Sequence, residues 1–339
     1  MDDRRSFARN SGLIVVVFVA TLILLAGLAL VVGGRSPGSA LGSSFDEFGS
    51  PLAGGSAAVP GSIVPQVSPP PVSGDPVLVG AGDIASCNLD GDEATAKLLD
   101  GIGGTVFTAG DNAYEDGTPG ELADCYGPTW GRHKDRTRPV AGNHDYQTRD
   151  AAGYKAYFGS AAVNADGDTW YSFELGTWHV IVLDSNCRAV NGCVDGSKQG
   201  QWLTQDLAAS KAGCTLAIWH HPRFSSGDEH GNDPEVDPFW RQLYAAGADV
   251  VINGHDHDYE RFAPQNPDAV EDRARGIREF VVGTGGAGLR GFDTPVANSE
   301  LRVAVTPGVI KLTLHDGSYE WTWIPASGTV TDSGSGPCH

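Results

Sequence analysis

From residue 76 onward, short apolar runs recur that end in glycine and polar side chains, and helix-period stretches separate them. Residues 76–83 read as a buried strand leading into a loop, followed by a helix over 92–102; apolar runs at 104–111 and 138–145 end in the same manner. Residues 169–185 have the pattern of a hairpin, with Gly176 and Thr177 near its turn. A helix is expected over 200–210, a strand over 215–221, a helix over 237–247, and a strand with its loop over 248–258. A further apolar run at 279–288 and a hairpin around His315-Asp316-Gly317-Ser318 close the pattern, which contains no repeat of fixed period. Strands alternating with helices, plus terminal hairpins, predict a layered α/β fold with mixed sheets. The polar clusters fall at the C-terminal ends of strands, where open α/β sheets place their sites.

The first 75 residues follow a different pattern. A head over 1–12 carries Arg4, Arg5 and Arg9, and no charged residue then occurs from Leu13 to Val32. Twenty apolar residues at about 1.5 Å rise reach roughly the 30 Å thickness of a bilayer core. Residues 13–34 are therefore expected to be a transmembrane signal anchor, with a cleavable signal peptide as the alternative and Gly38-Ser39-Ala40 as its candidate cleavage site. In either case the arginines keep the head cytoplasmic and place the remainder outside the membrane. Residues 35–75 are rich in Pro, Gly and Ser and read as an extended tether. That leaves 76–339 as the folded, chemistry-bearing domain.

Composition narrows the choice of ligand. The formal net charge is −19 with no long basic run, which disfavours a nucleic-acid partner and would equally repel a small anion unless cations are held locally. Six cysteines lie on the exported side, and an even count there predicts disulfides, including a small Cys187–Cys193 loop.

Five strand-end clusters carry the candidate chemistry: Gly82-Asp83, Gly110-Asp111-Asn112-Ala113-Tyr114, Gly142-Asn143-His144-Asp145, His220-His221-Pro222 and Gly254-His255-Asp256-His257. Glycine lets the backbone turn sharply, so that the next side chain can aim into a common space. Carboxylate, imidazole, amide oxygen and phenolate form a hard-to-borderline ligand set suited to iron, manganese or zinc.

This ordered set resembles the calcineurin-like metallophosphoesterases, and within them the purple acid phosphatases, over roughly residues 76–325. The wider superfamily supplies a His two residues after the first Asp. Here Ala85 stands at that place, and Tyr114 follows Asp111 by three, as in the Gly-Asp-x-x-Tyr motif of the purple acid phosphatases. The resemblance implies a four-layer αββα sandwich of two mixed sheets flanked by helices. It implies one metal held by Asp83, Asp111, Tyr114 and His257, and a second held by Asp111, Asn143, His220 and His255, with Asp111 bridging. A tyrosinate suits Fe³⁺ at the first site; the second would take Fe²⁺, Zn²⁺ or Mn²⁺.

The activity so implied is hydrolysis of a small phosphate ester, an acid-phosphatase-type phosphomonoesterase working through a bridging hydroxide. His144 and His230 match outer-sphere histidines that serve the leaving group. Glu229 stands where plant members often carry another His, which bears on substrate preference. Alternatives are a phosphodiesterase or nucleotidase with the same metals, for which loops near Arg223 and Arg290 would decide, and a non-catalytic cell-surface binding protein. His221 is expected to lie outside the ligand set, and His133, His179, His315 and His339 to be structural. The glycine-rich 283–288 loop is expected to shape the substrate rim near Arg290, and Tyr259-Glu260-Arg261 to brace it.

Overall fold

Buried strands lacking polar positions need cover on both faces, and the strands here assemble into two sheets that cover one another. The computed structural model describes residues 74–339. The head, the 13–34 span and nearly all of the tether lie outside the described residues, and among those described no helix is long and apolar enough to cross a membrane.

The first sheet has the spatial order β15 (Asp332–Pro337), β14 (Ser318–Pro325), β13 (Gly308–His315), β1 (Val77–Ala81), β3 (Thr105–Thr108) and β5 (Thr137–Arg138). Within it β1, β3 and β5 run parallel, whereas β13, β14 and β15 add antiparallel pairs. The second sheet runs β12 (Ser299–Val303), β10 (Tyr259–Phe262), β11 (Arg278–Val282), β9 (Val250–Asn253), β8 (Cys214–Ile218), β7 (Trp178–Val182) and β6 (Tyr171–Leu175). Its centre, β11-β9-β8-β7, is parallel. Both sheets are mixed, as the sequence pattern predicts, and β6–β7 is the expected hairpin.

Side-chain alternation builds the layers. Trp178, Val180, Val182, Leu216, Ile218, Val250 and Ile252 enter one cluster with Leu312 and Trp323 of the first sheet. Their neighbours Ile181, Ala217, Trp219 and Val251 pack instead with Leu203 of α4 (Lys198–Ala209) and with Phe239, Trp240 and Leu243 of α5 (Asp237–Ala246). Ala96 and Leu99 of α1 (Gly91–Asp100) join the first cluster. Helices thus flank paired mixed sheets. Ser197 caps α4 by accepting the Gly200 amide, and Gly247 ends α5 in a left-handed conformation at φ 78°.

Three disulfides join Cys87–Cys125, Cys187–Cys193 and Cys214–Cys338, leaving no free cysteine. The last ties the end of the first sheet's edge strand to β8 of the second sheet. That edge strand, β15, was not expected from its sequence DSGSGP. Its glycines fit because the rings of β14 cover them: a Cβ at Gly334 would meet the Trp321 ring at 2.3 Å, and one at Gly336 would meet Tyr319 at 2.6 Å.

Candidate metal centre

The parallel strands deliver the candidate side chains at their C-terminal ends. Asp83 follows β1, Asp111 follows β3, Asn143 lies beyond β5, His220 follows β8, and His255 and His257 follow β9. Asp83, Asp111 and His255 adopt φ of 59°, 48° and 73°, a left-handed backbone that non-glycine residues adopt only at a cost. Tyr114 lies in the two-stranded pairing of β4 (Ala113–Tyr114) with β2 (Ala85–Ser86), where Ser86 is its partner. Ala85, buried in that pairing, thus helps to set the strand that carries the phenol.

Two groups of donor atoms result. In the first, the Tyr114 hydroxyl lies 2.8 Å from Asp83 Oδ1, 3.1 Å from Asp111 Oδ2 and 3.1 Å from His257 Nε2. His257 Nε2 is also 3.4 Å from Asp83 Oδ1. In the second, His220 Nε2 lies 3.3 Å from Asp111 Oδ2, 3.0 Å from Asn143 Oδ1 and 3.2 Å from His255 Nδ1. Asp111 Oδ2 belongs to both groups.

The surrounding hydrogen bonds aim these atoms inward. His220 Nδ1 donates to the Ala109 carbonyl and His257 Nδ1 to the Gly288 carbonyl, so each ring turns its Nε2 to the centre. Asp111 Oδ1 accepts the His144 amide at 2.8 Å, and Asp83 Oδ2 accepts the His255 amide at 2.8 Å, which frees the other oxygen of each carboxylate. Asp256 faces away and accepts from Ser225 and the Gly231 amide. Gly142 allows this approach, since a Cβ there would sit 2.1 Å from Asp111 Oδ1.

The donor set fits metal ions on its own geometry. Ligands bound at about 2.0–2.2 Å to one ion stand roughly 3–3.5 Å from each other, and both groups have that spacing. The phenol has one proton to give but faces three lone-pair-bearing atoms, and His220 Nε2 likewise faces three. So many acceptors in one buried space repel unless a cation lies among them.

Charges in the cluster follow from burial and pairing. Burial opposes ionisation of Asp111, but His220 and His144 outweigh it and hold the carboxyl below its ordinary range. Burial likewise opposes charge on His220, and Asp111 reverses this, raising the imidazole to about 9. Burial and the neighbouring imidazoles, His220 foremost, push His255 well down, so that ring is neutral. Burial, then Asp111 and Asp83, push the Tyr114 phenol well up.

The expected outer-sphere histidines flank the cluster on two sides. His144 rests its ring 4.4 Å from that of Tyr114, with Nε2 4.0 Å from Asp111 Oδ2 and Nδ1 2.5 Å from the Glu115 carbonyl. His230 stacks on His255 at 4.0 Å and accepts from Arg290 Nη1 at 2.6 Å. His133, His179, His315 and His339 sit apart, paired with Asp100, with Glu174 and Asp206, with Asp75, and with Asp249.

Two residues outside the expected ligand set also lie against it. His221 joins His220 and His255 in one cluster of potential ligand atoms, while its Nδ1 is 2.8 Å from Ser185 Oγ. Burial and the charge of His220 lower it to about 3. Asp145, fully buried, accepts from the Gly142 amide and from Asn112, and so ties the Asn143 loop to the Asp111 loop. Burial, aided by Asp111, raises its carboxyl to about 7. Asp145 stands inside a quoted motif, so its position was a signal that had no assigned role. The 283–288 loop braces the ligand loops: Gly285 and Ala287 donate to the Gly82 and Asp83 carbonyls, and the Gly288 carbonyl accepts from His257. Glu260 in turn accepts from Ser226.

Residues 76–259 match the calcineurin-like phosphoesterase family. Purple acid phosphatase 15 of Arabidopsis thaliana is 35% identical over 97 residues, covering 27% of this chain and 18% of that protein. The matches span less than a quarter of the first plant relatives' length. Purple acid phosphatase PPD1 from yellow lupin superposes with a TM-score of 0.63 at 19% identity, over 78% of this chain and 54% of that one. GAP50, described as the anchor in the inner membrane complex of Plasmodium, superposes at 0.57 and 15% identity, over 78% and 89%. At these identities the two structures establish a shared fold.

Proposed function

The chain belongs to the calcineurin-like phosphoesterase family, and on that premise we propose that it is a two-metal phosphoric ester hydrolase of the purple acid phosphatase type, acting on small phosphate monoesters. The observation that carries this reading is the sharing of Asp111 Oδ2 between two groups of donor atoms, 3.1 Å from Tyr114 in one and 3.3 Å from His220 in the other. Asp83, Asp111, Tyr114 and His257 would hold the first ion, and Asp111, Asn143, His220 and His255 the second. When bound, the pair would supply an acidified water as nucleophile and neutralise the phosphate oxygens.

The chain's own groups have the remaining tasks. With Nδ1 donating to the Glu115 carbonyl, His144 turns Nε2 toward the centre, where the doubly protonated ring can give a proton to a leaving oxygen. Because His230 Nε2 accepts from Arg290, its proton resides on Nδ1. Stacked on His255, His230 would orient substrate beside the second ion. An exported site is in keeping with the three disulfides. Residues 13–34, as signal anchor or signal peptide, would direct that export.

Tyrosinate at the first ion would make that ion ferric, and ferric phenolates absorb visible light by charge transfer. Iron-loaded protein is therefore expected to be pink to violet and to hydrolyse p-nitrophenyl phosphate faster than bis(p-nitrophenyl) phosphate. Tyr114→Phe should bleach the colour and lower iron content, while His144→Ala keeps the colour and loses about 10²–10⁴ in kcat. A colourless wild type fully active with zinc or manganese at both positions would refute the ferric assignment. Faster cleavage of the diester would refute the monoesterase reading.

A further inference from the structure

Arg223 and Arg290 both lie in loops near the cluster, but only one has its charge directed at it. Arg223 Nε donates to Asp237 Oδ1 at 2.9 Å, which turns its guanidinium to the start of α5. Arg290 is fixed to the site at three points. Its backbone amide donates to the His257 carbonyl at 3.0 Å, its Nε lies 3.0 Å from Glu229 Oε2, and its Nη1 donates to His230 Nε2 at 2.6 Å. Through His230, which stacks on His255, the guanidinium borders the second donor group. Its side chain remains one-quarter exposed, and among the described residues Nη2 donates no hydrogen bond.

A guanidinium held by two of its nitrogens presents its third as a directed donor with little ordering left to do. Oxyanions, carboxylate and phosphate, suit that donor. The phosphate to be cleaved already has the metal centre, so a second cation outside the donor groups has use for a second anion. Asp228 and Glu229 are also exposed on this acidic rim, so an anion there is held only where the guanidinium meets it.

The geometry points to Arg290, held by Glu229 and His230, as the specificity-determining residue for phosphate esters and anhydrides whose leaving group carries a second anionic group. This inference rests on the phosphoesterase reading above and names the substrate class for that site. The shared chemistry is an anion within reach of Nη2, whether a second phosphate or a carboxylate.

The test compares kcat/KM of the metal-loaded wild type, Arg290→Gln and Arg290→Lys on three probes: p-nitrophenyl phosphate, ADP and phosphoenolpyruvate. Because Arg290 also holds His230, Arg290→Gln should lower kcat on all three by a common factor. Beyond that factor, ADP or phosphoenolpyruvate should lose a further 10- to 100-fold in kcat/KM, mostly through KM, and the probe that suffers identifies phosphate or carboxylate. Arg290→Lys keeps the charge without the fork and should recover part of the difference. Metal content should be unchanged in both variants. Equal losses on all three probes, or none, would overturn the assignment while leaving the phosphoesterase reading intact. A wild type that cleaves none of them would remove that reading, and this one with it.

Discussion

Asp111→Ala is expected to leave the protein with metal at neither position and with turnover reduced by more than about 10³-fold, since several kcal/mol of transition-state stabilisation depend on those ions. The carboxylate is buried and serves three neighbours at once: Oδ2 faces Tyr114 and His220, and Oδ1 accepts the His144 amide. Removing it takes a donor from both groups and releases the loop that bears Asn143 and His144. Its backbone, at φ 48°, adds a second effect. Alanine tolerates the left-handed region less well than aspartate or asparagine, by about 1 kcal/mol. Asp111→Asn separates the two, for it retains the backbone preference and loses the anionic ligand. Both variants should lose metal, and only the alanine variant should also melt earlier. Asn143→Ala, whose oxygen belongs to one group, should cost the second ion alone. Two ions per chain and near-normal turnover in Asp111→Ala would exclude the bridging role.

The largest expected loss of stability comes from the Cys214–Cys338 bond, which closes a separation of 124 residues. Constraint of so long a loop in the unfolded chain is worth about 5 kcal/mol in the chain-entropy account. The bond also holds β15, an edge strand of serine and glycine with little intrinsic preference for extended structure. The paired substitution Cys214→Ala with Cys338→Ala should lower Tm by about 10 °C and raise hydrogen exchange first in β15. The metal groups lie at the other ends of these strands and should keep their content below the new Tm. An unchanged melting temperature would contradict the claim that this bond secures the edge. Breaking the Cys187–Cys193 bond, with a separation of 6, should cost less.

Much of the centre was legible because its chemistry is carried by local words. Glycine followed by a ligand residue at the end of an apolar run is a short-range signal, and Asp83, Asp111, Asn143 and His255 each stand directly after such a glycine, with His257 two residues further on; His220 ends its apolar run without one. The hairpin at β6–β7 and the helices α1, α4 and α5 were legible for a similar reason: period and caps are set by near neighbours.

What could not be read depends on partners distant in sequence. The left-handed backbone at Asp83, Asp111 and His255 falls on the residue after each glycine, and it is held by cross-loop bonds such as the His255 amide to Asp83. The choice between Arg223 and Arg290 rested on Asp237 and Glu229, whose proximity only the fold creates. Residues 119–136 form α2 (Pro119–Glu121) and a run of irregular helical turns with no apolar period to reveal them. The strand β15 owes its existence to the covering rings of β14 and to Cys338.

The central claim is that two donor groups sharing one carboxylate oxygen make a two-metal hydrolase. Metal content and turnover, followed together as metal-stripped protein is titrated, test it most directly. Saturation is expected at two ions per chain, with hydrolysis of a phosphate monoester rising as the second equivalent binds. Full turnover at one ion per chain would contradict it.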